Sequence, residues 1–182
     1  MIPNKYASSF GEILGQGSYS TMVKLPQKES NLFQGMIITE NEDKYRFQKQ
    51  LFSFYGIQLG TLNEHDNYIY SYELPILKLP IDIIFSERIN LAFQAVSDAY
   101  HHEEVDVSDN HDRGFSASSI LEKEIPHPSP SELKILDAIS MAEHSMVITG
   151  GKFRWDLHSE QFLYLDETLI CVDPVIFEES FL

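Results

Sequence analysis

Between Phe10 and Glu40 the apolar residues come in short runs broken by Gly, Pro and Asn. This pattern predicts three strands, at about Phe10–Leu14, Thr21–Leu25 and Met36–Thr39. Asn41 then stands where a helix would be capped. Phe47, Leu51, Phe54 and Tyr55 recur at helical spacing, so a helix with these residues toward a core is expected, ended by Gly56. Ile57–Leu62 and Tyr68–Leu74 read as two further strands around a turn at residues 63–67, with Tyr68, Tyr70 and Tyr72 on one face. Pro75 and Pro80 bracket an apolar stretch that reads as an extended connector, because a proline disfavours helix in the residue before it.

From Ile81 the pattern turns helical, with Ile89, Phe93, Val96 and Tyr100 on one stripe. Residues 101–130 read as irregular. A second helix has a sharp start: Ser129 as N-cap, Pro130 at the first helical position and Glu132 completing the S-x-x-E box. Ile135, Ile139, Ala142 and Met146 form its apolar stripe, and Gly150-Gly151 stops it. The end reads as a loop over Phe153–Gln161 and a hairpin of Phe162–Leu165 and Leu169–Val172 around Asp166-Glu167. The expectation is an α+β chain in two unequal lobes, residues 1–74 and 81–182, joined by a hinge at 75–80.

Charge changes this picture. The formal net charge is −15, and it is uneven: residues 1–91 carry eight basic and ten acidic side chains, residues 92–182 five and eighteen. Direct nucleic-acid binding is therefore not expected, since that affinity comes mostly from basic patches. The acidic half points instead to a partner protein with a basic surface, for instance a nucleic-acid-binding protein whose groove it would occupy; solubility alone is the plainer alternative. The single cysteine, Cys171, excludes an intrachain disulfide and a thiolate zinc cluster. Met1 to Phe10 lacks an apolar signal-peptide core, and no apolar run approaches the ~18 residues of a membrane span. A soluble cytoplasmic protein with no membrane partner is expected. Six acids between Asp98 and Asp112, with His101, His102 and His111 among them, read as a solvated loop rather than a metal site, and Phe115 to Ser119 as a serine-rich linker.

Two segments carry candidate chemistry. In Leu14-Gly15-Gln16-Gly17-Ser18-Tyr19-Ser20 a G-x-G lies between two expected strands. Backbone N–H groups there can approach a polyphosphate, although an ordinary glycine hairpin has the same pattern. Arg154-Trp155-Asp156-Leu157-His158-Ser159-Glu160-Gln161 precedes the expected hairpin and Val172-Asp173-Pro174-Val175 follows it. The hairpin would bring Asp156 and Asp173 together, one to accept a proton from a hydroxyl and the other to hold magnesium. A solvated loop aspartate plus an Asp-Pro turn is the plain alternative.

Taken jointly, these segments resemble the early serine/threonine protein kinases of T7-like phages, most clearly in Leu14 to Ser20, where that family also has serine in the third glycine position, in Asp156-Leu157-His158-Ser159 and in Val172-Asp173-Pro174-Val175. Aminoglycoside-phosphotransferase-like kinases share the D-L-H and D-P features. The resemblance covers about 40 residues well and implies a protein-kinase-like two-lobe fold with a truncated C-lobe. It also implies ATP and Mg as cofactors: Asp156 as general base, Asp173 as magnesium ligand, and Gly15, Gly17, Ser18 and Ser20 over the phosphates. The chain departs from the pattern in three places. Gln161 stands where an asparagine would bind a second magnesium. The third strand lacks the phosphate-pairing lysine, which leaves Lys24 as the nearby candidate. Only nine residues, Pro174 to Leu182, follow Asp173. Two functions are implied: a pseudokinase that binds and inhibits a host protein through its acidic surface, or an active ATP/Mg-dependent kinase phosphorylating host proteins.

Overall fold

The structure is a computed structural model, and it describes residues 7–17, 20–26, 34–65, 68–101, 116–149 and 153–177. The chain divides into two compact units, Met1–Leu77 and Lys78–Leu182, with the boundary inside the Pro75–Pro80 segment. The expected acidic loop at 102–112 lies outside the described residues.

The first unit is an antiparallel sheet of β1 (Glu12–Gln16), β2 (Ser20–Lys24), β3 (Gly35–Thr39), β4 (Asn63–His65) and β5 (Ile69–Leu74), in the order β1-β2-β3-β5-β4. Helix α1 (Glu42–Phe54) lies between β3 and β4 in sequence. Asn41 caps it, its side-chain oxygen accepting from Asp43 N at 2.8 Å and Lys44 N at 3.4 Å. Gly56, at φ +72°, follows its end in the left-handed conformation that glycine adopts without strain. The buried positions of α1 are Lys44, Tyr45, Phe47, Gln48, Leu51 and Phe52; Phe54, expected in the core, is 36% exposed, and Tyr55 ends the helix half-buried. The helix meets the sheet at Tyr72 of β5. The Tyr45 ring packs edge-on against Tyr72, and the Tyr72 hydroxyl donates to Gln48 Oε1 at 2.6 Å, which satisfies two polar atoms in the interior. The other face buries Val23, Met36 and Ile38 against Ala7, flanked by Phe10, Ile13, Leu25 and Ile69.

Two expected strands move. Ile57–Leu62 forms none; the partner of β5 is the segment expected as a turn, Asn63–His65. Gly60 still donates to the Glu73 carbonyl at 2.9 Å, so the chain runs beside β5 before the ladder starts. Tyr68 leaves the strand because it turns the chain at φ +59°, and the residue is 76% exposed.

The second unit holds α2 (Glu87–His101), α3 (Ala117–Glu124) and α4 (Pro130–Thr149). Then come β6 (Phe153–Trp155), a 3-10 turn (Ser159–Gln161), the hairpin β7 (Phe162–Leu165) and β8 (Thr168–Cys171), and finally β9 (Val175–Phe177). The capping box of α4 forms in both directions: Ser129 N donates to Glu132 Oε2 at 2.7 Å, and Glu132 N to Ser129 Oγ at 3.3 Å. The Ser129 backbone bond, with Arg88 nearby, holds the Glu132 carboxyl below its usual range, so this cap stabilises above that range and is lost as pH falls through the lowered value. Ile135, Ala138, Ile139, Ala142 and Met146 face the core.

Helix α3 corrects the reading of 101–130 as irregular and of the serines as linker. Ser116 is its N-cap, and the Glu143 carboxylate of α4 accepts from Ala117 N at 2.6 Å, Ser118 N at 3.3 Å and Ser118 Oγ at 2.6 Å. Leu121 and Ile125 then anchor it in the core. Phe162 is fully buried, stacked on Phe93 at 5.7 Å between ring centroids and tilted against Phe85 at 5.3 Å.

Candidate functional site

In the first unit β1 runs on through Gly15 and Gln16, so the connection to β2 is only residues 17–19. Gly15 is therefore a strand residue opposite Met22, just past a bulge, and not part of an open loop. The Gly17 N–H donates to the Ser20 carbonyl at 2.8 Å and closes the turn. Ser18 lies outside the described residues. Neither glycine has the positive φ that glycine alone tolerates. Among the described residues, a methyl group on Gly15 would meet nothing within 4 Å, and one on Gly17 only the Ser20 carbonyl oxygen at 3.8 Å. Packing explains Gly11, where the same carbon would run into the Lys24 carbonyl oxygen, and Gly60, where it would lie 3.0 Å from Glu73 N. At Gly15 and Gly17 no packing among the described residues requires the missing side chain.

Lys24 is exposed at the other end of β2, opposite Glu12 and Gly35. It lies four residues along the strand from Ser20, about 13 Å. The cation beside the turn is one that the sequence reading missed. Lys44, in the first turn of α1, is 6% exposed, and its Nζ donates to Ser20 Oγ at 2.7 Å. A lysine in a helical pattern reads as a polar, outward position, so only the packing of α1 on the sheet reveals it.

In the second unit the two aspartates are brought together by a ladder outside the hairpin. Strands β6 and β9 pair antiparallel through Phe153↔Phe177, Arg154↔Ile176 and Trp155↔Val175. The bond from Asp156 N to the Pro174 carbonyl at 2.8 Å continues this pairing by one residue. Asp156 and Asp173 thus stand on adjoining backbone at the open end of the ladder. The hairpin between them is closed by Phe162↔Cys171 and by Val172 N donating to the Gln161 carbonyl at 2.8 Å. Trp155 fixes the base of the arrangement, 4% exposed and edge-on to Phe153.

The side chains around Asp156 form a short polar series. His158 Nε2 lies 3.8 Å from Asp156 Oδ2 and 2.7 Å from Gln161 Nε2. With the amide in this orientation its N–H donates to the imidazole, which leaves the ring proton on Nδ1. Gln161 is therefore turned toward His158. Asp173 makes itself felt on the buried Cys171: burial, and then the Asp173 charge, push the thiol well above its usual range, so the sulfur stays protonated and is a poor nucleophile.

Among the described residues no group of three or more His, Cys, Asp or Glu side chains is arranged to hold a metal ion. A single carboxylate is nevertheless enough for magnesium when phosphates and water complete its shell. Asp173 is the residue that would hold it, and Gln161, the other candidate ligand, is turned toward His158. No helix among the described residues is long and apolar enough to cross a membrane. The chain matches no family model, no curated protein and no solved structure.

Proposed function

We propose that this chain is a reduced kinase-like protein, similar to the early serine/threonine kinases of T7-like phages, that binds ATP with magnesium. In this reading the glycine turn of the first unit takes phosphate, Asp173 is the metal ligand and Asp156 the general base for a substrate hydroxyl. The observation that carries it is the β6–β9 ladder, which sets Asp156 and Asp173 on adjoining backbone while a hairpin closes between them. The order of elements supports it too. Five antiparallel strands with one helix after the third precede a proline-bearing connector, helices, and the D-L-H and D-P segments flanking a hairpin. Magnesium, when bound, would supply positive charge against the phosphates; the protein's own part is to orient the nucleotide and to receive the proton at Asp156.

Mg·ATP is expected to raise the unfolding free energy of the chain by about 2.7 kcal/mol at a hundredfold excess over its Kd. A thermal-shift titration with ATP, with and without magnesium, measures this. An unmoved melting curve at millimolar nucleotide sinks the reading.

A second reading has its own support. Gln161 is engaged with His158, β3 (Gly35–Thr39) has no lysine, and eighteen of the 28 acids fall in residues 92–182. These favour a pseudokinase that holds a basic host protein by its acidic surface and transfers nothing. Such a partner, captured on the immobilised chain at low salt, is expected to elute as ionic strength rises toward 1 M, where screening shortens to about 3 Å. Retention at that salt would rule out an electrostatic hold.

A further inference from the structure

We propose that the turn at residues 79–84, with the starts of α2 and α4 beside it, is a contact surface for a second copy of this chain, in a two-fold dimer formed through the second unit. Nothing in it depends on nucleotide binding.

Leu79, Ile81 and Ile84 are 73%, 95% and 74% exposed. Single aliphatic side chains on a surface are ordinary, but three on one turn make the kind of patch that marks an interaction site. This turn is also held in place. Lys78 N donates to the Tyr164 carbonyl at 2.9 Å and Tyr164 N to the Lys78 carbonyl at 2.7 Å, which ties its start to β7. The Tyr164 hydroxyl donates to Asp82 Oδ2 at 3.0 Å and accepts from Lys134 Nζ at 3.1 Å. Ile83 is buried, and Ile84 N donates to Ser131 Oγ at 3.4 Å, at the start of α4. Arg88 in the first turn of α2 lies 3.9 Å from Glu132 in the first turn of α4. The exposed Leu91 of α2 and Leu133 of α4 therefore belong to the same end of the unit. Apolar side chains on a turn already fixed by its backbone lose less freedom on association than those on a loose loop.

Charge selects the occupant. Residues 78–182 carry seven basic and twenty acidic side chains. Three of the seven basic ones, Lys78, Arg88 and Lys134, stand at this end, and Asp82 and Glu132 lie 3.8 Å from Lys134 and 3.9 Å from Arg88. A basic partner is drawn to the acidic surplus elsewhere and gains little here. Two copies at −15 each repel through their acidic faces, and meet at least cost where the acids already have cations beside them. A two-fold axis presents the same patch from both sides, so Lys78 of one copy can face Asp82 of the other around an apolar centre.

Sedimentation velocity of the full chain, over a series from low micromolar to about 100 µM, tests this. The unsubstituted chain is expected to pass from monomer to dimer and to stop there, because a two-fold contact closes on itself. Ile81→Asp is expected to raise the dimer dissociation constant at least tenfold, and Ile84→Ser is the second variant should the aspartate one not fold. Ile148→Asp, at an exposed position near the other end of α4, is expected to change it less than twofold. Added salt is expected to leave the dimer intact or tighten it, since it screens only the repulsion. The proposal is overturned by a chain that stays monomeric throughout or grows beyond two copies. It is equally overturned if the folded variants of Ile81 and Ile84 keep the dimer within twofold, if Ile148→Asp weakens it as much, or if salt dissociates it.

Discussion

Phe162→Ala is expected to lower the stability of the second unit by about 3–5 kcal/mol, the range for deleting a buried aromatic side chain when the cavity cannot collapse. Collapse is unfavourable here because the ring is held from two sides. Phe93 lies parallel to it at an interplanar angle of 6°, and Phe85 leans on it at 50°. Phe85 precedes helix α2 and Phe93 lies within it, so filling the void would require moving α2 or distorting the first residue of β7. Urea unfolding followed by fluorescence measures the loss locally, since the only tryptophan, Trp155, is buried in the same unit. Phe162→Leu should cost clearly less. A loss below about 1 kcal/mol for the alanine variant would mean that the stacked trio does not hold this unit together.

On the kinase reading proposed above, Asp156→Asn is expected to reduce phosphoryl transfer by about 10²–10⁴-fold, the usual contribution of a positioned general base. The substitution keeps shape and removes the basic oxygen. The backbone bond from residue 156 to the Pro174 carbonyl and the β6–β9 ladder do not involve the carboxylate, so the loop should stay in place. Transfer of labelled phosphate to a protein acceptor measures the rate, and the Mg·ATP thermal shift should persist, because the base acts on the hydroxyl and not on the nucleotide. Transfer that survives the substitution removes the catalytic role of Asp156. Absence of transfer by the unsubstituted chain leaves the binding reading.

Helices α1 and α4 are legible in the sequence because their signals are local: Asn41 for one, and Ser129, Pro130 and Glu132 for the other, followed by apolar residues at helical spacing. Helix α3 is not, because part of its cap comes from Glu143, 26 residues beyond Ala117, and a serine-rich start without its partner looks like linker. Strand β4 fails for a related reason. Apolar Ile57–Leu62 looks more strand-like than Asn63–His65, yet the ladder forms where the tight turn at Tyr68 sets the register.

At the candidate site, the neighbourhood of Asp156 and Asp173 follows from reading a hairpin between them. The device that fixes it, pairing of β6 with β9, joins segments that carry no turn signal linking them. Lys44 is the opposite case: sequence polarity points the side chain outward and the packing turns it inward.

The ladder has a consequence for how this segment can change. The pairing of Trp155 with Val175 sets the distance between the aspartates without reference to the tip of the β7–β8 hairpin, where Asp166 turns the chain at φ +52°. Residues inserted at Asp166-Glu167 lengthen a loop and leave the acidic pair where it was. One residue inserted between Trp155 and Asp156 breaks the alternation and turns the carboxylate to the opposite side of the ladder. The tip is thus expected to accept inserted tags or reporters, and a change of spacing at the ladder's mouth is expected to displace the aspartates.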